Sequence, residues 1–135
     1  MQQMRYMKLG NSLVVLVSIF SMALSAWAHH GDAGRYNDEV TTVVGVVAQW
    51  RLINPHSELI LDVEDESGRL VRWRGELANP TALANRHGWD QETFQPGDRI
   101  SMTGRALKNG SPAMTLSEGA VLVDADSGEE LYRGN

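Results

Sequence analysis

Five short β-patterned segments, with one helix-patterned segment between the third and fourth, predict an all-β domain with one short helix. Three observations narrow this to a five-stranded OB-fold-like barrel, in the order β-β-β-α-β-β, behind an N-terminal signal peptide. The segments are evenly punctuated by Gly, Pro, Asn and Asp. The lone helix falls where such a barrel needs its plug. A glycine, Gly45, in the middle of the first strand suggests a bulge or bend there, as a barrel strand requires. An open sandwich is the structural alternative.

The first strand is read over Val40 to Trp50, "VTTVVGVVAQW", because it is β-branched and carries no helix punctuation. "RLINPH" turns the chain, since Pro55 drives Asn54 out of the helical region. Ser57 to Val63 is the second strand, with Leu59, Leu61 and Val63 on one face. "EDESGR" is a polar turn in which Gly68 supplies the positive φ. The third strand, Leu70 to Leu77, alternates: Val71 and Trp73 face one way, Arg72 and Arg74 the other.

Asn79-Pro80 then opens the helix, asparagine as N-cap and proline at the first helical position. Leu83 is its expected anchor, and Gly88 stops it after His87. "QPGD" leads into a fourth strand, Arg99 to Arg105, with Ile100 and Met102 inward. "KNGSPA" makes a hairpin into a fifth strand, Met114 to Val123, and "DADSG" turns into a short tail, "EELYRGN".

The first 28 residues read as a secretory leader. Arg5 and Lys8 charge its start, "LVVLVSIFSMAL" is its apolar core, and Ala26-Trp27-Ala28 is a small-x-small cleavage site. An uncleaved anchor is the rival, but the apolar run, preceded by Asn11 and Ser12, is short for a span. The expected organisation is a signal peptide over 1–28, an N-terminal arm over 29–39 and the barrel over 40–135, with a periplasmic or secreted location and no membrane anchor after cleavage. All 17 acidic residues follow the leader and two of the 12 basic ones lie in it, so the remainder carries 10 against 17, a net charge of −7. Such a balance argues against nucleic acid as a partner. Cysteine is absent, which excludes disulfides and thiol chemistry.

The chain resembles an uncharacterised family of short exported bacterial proteins, domain of unknown function 6152. The resemblance rests on "AHHG" after the leader, "VVGVV", "INPH", "WRGELANPTALANRHGW" and "FQPGDRISMTGRALKNG", from about His29 to Met114. It implies an exported small β-barrel-like domain and supplies no activity. One departure is Gly31-Asp32 after the His pair, where a serine or another larger residue is expected first.

Cleavage after Ala28 would make "HHGD" a chemical feature. His29 then carries a free α-amine, with a pKa of about 8, beside its own imidazole. Amine, imidazole and a second imidazole from elsewhere form a histidine brace, and nitrogen ligands in a near-square plane suit Cu(II). His56 is the expected cross-chain partner and His30 an alternative through a local chelate. Asp32 is an axial oxygen or an outer acceptor. Cutting after Ala26 instead leaves Trp27-Ala28-His29, itself a copper-chelating arrangement. The plain alternative is that these are solvated polar residues near a chain terminus, that His56 merely follows a turn, and that His87 favours the negative end of the helix.

Trp50, at the end of the first strand near "NPH", is the candidate wall of a ligand site, although core packing is the commoner fate of all three tryptophans beyond the leader. Arg72 and Arg74 are candidates for an acidic ligand, and cross-strand ion pairs are their plainer use. "EDES" and "DADSGEE" lack the spaced ligands of a calcium loop and read as hairpin tips. No G-x-S-x-G, H-E-x-x-H or phosphate loop points to an enzyme. The expectation is a non-enzymatic exported binding domain with copper as its most concrete ligand. The alternatives are a small-molecule, saccharide or protein binder working from the barrel face, and a structural envelope component.

Overall fold

The computed structural model describes residues 34–135. The leader, His29, His30 and Asp32 lie outside the described residues. Seven strands and one helix follow in chain order: β1 Thr41–Arg51, β2 Glu58–Glu64, β3 Leu70–Glu76, α1 Pro80–His87, β4 Arg99–Ala106, β5 Ala113–Thr115, β6 Val121–Asp124 and β7 Glu130–Arg133. The sheet order is β1-β2-β3-β5-β4-β6-β7, and an additional β1–β4 pairing closes the first five strands into a barrel. The β3–β5 contact is parallel and the other pairings are antiparallel. This is the OB-type barrel that the element order predicts.

Closure depends on β1. Thr41 to Val46 pair with β4, and Val46 to Arg51 pair with β2, so one long strand serves two neighbours. The predicted bulge at Gly45 is displaced: the register irregularity falls between Val47 and Gln49, at Ala48. Gly45 is required for a different reason. A Cβ there would stand 2.7 Å from the Asp62 carbonyl oxygen and 2.8 Å from Val63 Cγ2, so only a glycine lets β1 run this close to β2.

The interior is filled by alternate residues, as period-two patterning demands. Leu59 and Leu61 of β2, Ile100 and Met102 of β4, Met114 of β5 and Leu122 of β6 are each at most 1% exposed. The helix plugs the assembly through Leu83, its one buried residue. Its local code works as predicted: Asn79 Oδ1 accepts from the Ala82 amide at 2.9 Å, Pro80 opens the first turn, and Gly88 closes it at φ 69°.

The predicted fifth strand is two strands. The chain leaves β5 at Leu116, turns at Ser117 to Gly119 and resumes as β6, both segments lying along β4. Gly119 sits at φ 77° in that turn, and the Ala120 amide donates to the Ser117 carbonyl at 3.0 Å. The tail is also ordered into the sheet: β7 pairs with β6, and Tyr132 donates its hydroxyl to the Leu116 carbonyl at 2.8 Å. Ahead of β1, Tyr36 is buried and bridges to Leu107, while the Asn37 amide donates to the Ala106 carbonyl.

Gly45→Ala is therefore expected to destabilise the domain by about 2 kcal/mol through overpacking of β1 on β2, read as a lower urea midpoint at unchanged slope. Ala48→Gly at the bulge serves as a control that introduces no collision. Equal midpoints for Gly45→Ala and wild type would disprove the close-approach account.

Candidate functional site

A barrel packed with aliphatic side chains leaves recognition to its rim and outer face. One transverse row of the outer face runs Arg51, Glu58, Glu76, Thr115, Arg105, each residue opposite the next on the neighbouring strand. The sequence could not show this row, because its members are up to 64 positions apart.

The predicted residues that fall in the described region meet this face in different ways. His56 stands on the β1–β2 connection, after the cis Asn54–Pro55 bond, with its side chain 57% exposed. The next residue, Ser57, is wholly buried and held at both backbone groups: its amide donates to the Ala78 carbonyl and its carbonyl accepts from the Leu77 amide. The imidazole is thus exposed but rooted on a fixed backbone. Its Nδ1 faces Glu76 Oε1 at 3.6 Å. At that distance, beyond hydrogen-bond reach, the two groups attract as an ion pair when the imidazole is protonated.

Arg72 and Arg74 point outward as the alternation predicts, and both are engaged. Arg72 makes a bidentate pair with Asp62, directly opposite on β2, at 2.8 and 3.0 Å. Glu58 receives Arg51 at 2.7 Å and Arg74 at 3.4 Å. An acidic ligand at either arginine must compete with a carboxylate already in place.

Trp50 is buried at the barrel end. Its ring meets Trp89 and Phe94 edge-on, with centroids 5.9 and 5.2 Å away, and its Nε1 donates to the Asp90 carbonyl at 2.8 Å. Trp73 packs, partly buried, against the core. The aromatic group continues through Trp89 to Tyr132 and His87, at 5.5 and 5.3 Å. Tyr132 belongs to the segment read as a tail, so only the β6–β7 pairing reveals its membership. Burial pushes its phenol above the ordinary 10.0, and the nearby Arg86 opposes this.

The acidic hairpin tips have structural work. Asp65 accepts from the Ser67 hydroxyl and amide and from the Arg69 amide, which hold its carboxyl below the usual range. Asp124 is lowered likewise by the Ser127 and Asp126 amides. No cluster of three or more His, Cys, Asp or Glu side chains able to hold a metal occurs among the described residues. His56 with Glu76 is the pair of potential metal-binding groups that the folded domain itself presents on this face.

A family model described as a family of unknown function, DUF6152, matches residues 15–116. Its last residue, Leu116, immediately follows β5, so all five barrel strands lie within the match and the β6–β7 hairpin beyond it. No curated protein matches the chain.

The Arg72–Asp62 pair has a measurable signature. Hydrogen bonding from Arg72 holds the Asp62 carboxyl below 3.8. A carboxyl lowered in the folded state contributes stability that is present above its unfolded pKa and lost as pH falls through the folded one. The pair is solvent-exposed, so the stability change at neutral pH is small. Carbon-detected NMR titration of Arg72→Ala should show Asp62 moving up toward 3.8; an unmoved midpoint would show that Arg72 is not the cause.

Proposed function

The chain belongs to the DUF6152 family, and on that footing we propose that it is an exported, non-enzymatic binding domain whose ligand is Cu(II). The leader directs it to the periplasm or beyond, and cleavage after Ala28 creates the metal-binding terminus. His29 supplies α-amine and imidazole, and His56 supplies an imidazole from the folded domain. His30 is the alternative nitrogen ligand, and Asp32 an oxygen ligand or outer acceptor.

The observation that carries the reading is His56. Its ring is more than half exposed, its chain neighbour is wholly buried, and Glu76 flanks Nδ1 at 3.6 Å. A surface histidine that merely followed a turn would need neither the rooted backbone nor the carboxylate. The donor chemistry also suits the metal. Imidazole and a neutral amine are borderline nitrogen ligands, and Cu(II) heads the divalent affinity order with such donors. Charge supports it more generally, since a domain of net charge −7 attracts a cation.

The test is to secrete the protein through its own leader, confirm the terminus by intact mass, and titrate Cu(II) with EPR detection. Wild type should show a one-to-one, nitrogen-rich site. His56→Ala and a variant with one extra methionine before His29 should each weaken it by about tenfold or more. If His56→Ala binds as wild type does, the N-terminal residues chelate copper as a free peptide does and the proposed site is refuted. Small-molecule, saccharide or protein binding from the outer face then becomes the working account.

A further inference from the structure

We propose that Arg105, Thr115 and Ser117 form a second site on the outer face, one that takes a tetrahedral oxyanion such as a phosphate or sulfate group. The proposal is independent of copper and begins with the arginines. Arg51, Arg72, Arg74 and Arg99 rise from the strands and each meets a carboxylate: Glu58, Asp62, Glu58 and Asp126 respectively. Arg105 rises from β4 in the same way and makes no ion pair among the described residues. Its contact is with a hydroxyl, Nη2 donating to Ser117 Oγ at 3.5 Å, and its Nε is buried without a hydrogen-bond partner.

With Nε buried, a guanidinium that meets no carboxylate among the described residues and makes one long hydroxyl contact has its terminal nitrogens available to a partner from solvent. The surroundings point to what that partner is. Thr115 stands directly opposite Arg105, and its Oγ1 lies 3.2 Å from Ser117 Oγ. Both hydroxyls are on fixed backbone: between them Leu116 is buried, its amide donates to the Glu76 carbonyl, and its carbonyl accepts from Tyr132. The result is a guanidinium and two hydroxyls set around one patch.

The geometry also selects the shape of the anion. A carboxylate is best held by two parallel N–H groups, and the fork that includes Nε is closed by burial. The terminal nitrogens remain, together with two hydroxyls rooted on the adjacent chain. A tetrahedral anion can set separate oxygens on the guanidinium and on the hydroxyls, whereas a planar carboxylate must share its two oxygens between both sets. Among the described residues no carboxylate makes an ion pair with Arg105: Glu76, opposite Thr115, faces His56, and Asp38 and Glu39, on the segment bonded to β4 at Ala106, make no ion pair with it.

The experiment is a titration of the isotope-labelled protein with inorganic phosphate, at constant ionic strength, followed by amide chemical shifts. Saturable shifts should centre on residues 105, 115 and 117. Arg105→Gln should weaken binding by about tenfold or more, Arg72→Gln should leave it unchanged, and acetate should bind more weakly than phosphate. Should Arg105→Gln fail to fold, Ser117→Ala with Thr115→Val keeps the arginine and should weaken binding several-fold. Shifts that do not saturate, an Arg72→Gln effect equal to that of Arg105→Gln, or acetate binding as tightly as phosphate would each overturn the proposal.

Discussion

The inside of a five-stranded barrel is one layer of side chains deep, and closing it forces backbones and core residues into that narrow volume. Three inward glycines make the closure possible. Gly45 admits the Asp62 carbonyl, Gly75 admits Met102 and Leu116, and Gly104 admits the Thr115 carbonyl with Leu116. A Cβ at any of the three would stand 2.7 Å or less from a neighbouring atom. With glycine in place, Leu59, Leu61, Met102 and Met114 fill the centre, and α1 seals it with Leu83. Among the described residues the interior is filled by these side chains, and the charged side chains stand outside it.

On the outside, the dominant constraint is charge matching between neighbouring strands. β1, β2 and β3 carry Arg51, Arg72 and Arg74 against Glu58 and Asp62, so each arginine here meets a carboxylate, Glu58 receiving two. Exposed pairs of this kind contribute little to stability individually. Their consequence lies in specificity, because they withdraw three arginines from ligand binding. Two places on the same row break the pattern: Glu76 meets an imidazole and Arg105 meets hydroxyls.

The row therefore carries two chemically opposite groupings, one at its middle around Glu76 and one at its Arg105 end. At one, a carboxylate and an imidazole suit a metal cation; at the other, a guanidinium and two hydroxyls suit an oxyanion. Thr115 separates them in the register, between Glu76 and Arg105. Both groupings are rooted in the core through a buried neighbour, Ser57 beside His56 and Leu116 beside Thr115 and Ser117. Backbone anchored in this way positions donors without ordering a loop at the moment of binding, which lowers the entropy lost on association.

Much of this was legible locally. Strand alternation identified Leu59, Leu61, Ile100 and Met102 as inward and Arg72 and Arg74 as outward, and capping signals located α1 to the residue. Element order then indicated the barrel, because only a few topologies place one helix between strands three and four. The break at Ser117–Gly119 was missed because β-patterned residues continue on both sides of it. β7 was missed because "EELYR" has no alternation of its own and becomes a strand only by pairing with β6. By itself, then, the sequence determined the elements, their order and which side of each strand enters the core, since these follow from contacts between near neighbours. Tertiary structure alone decided which arginines are neutralised, what stands beside His56 and why Gly45 is glycine, since those depend on cross-strand register between residues far apart in the chain.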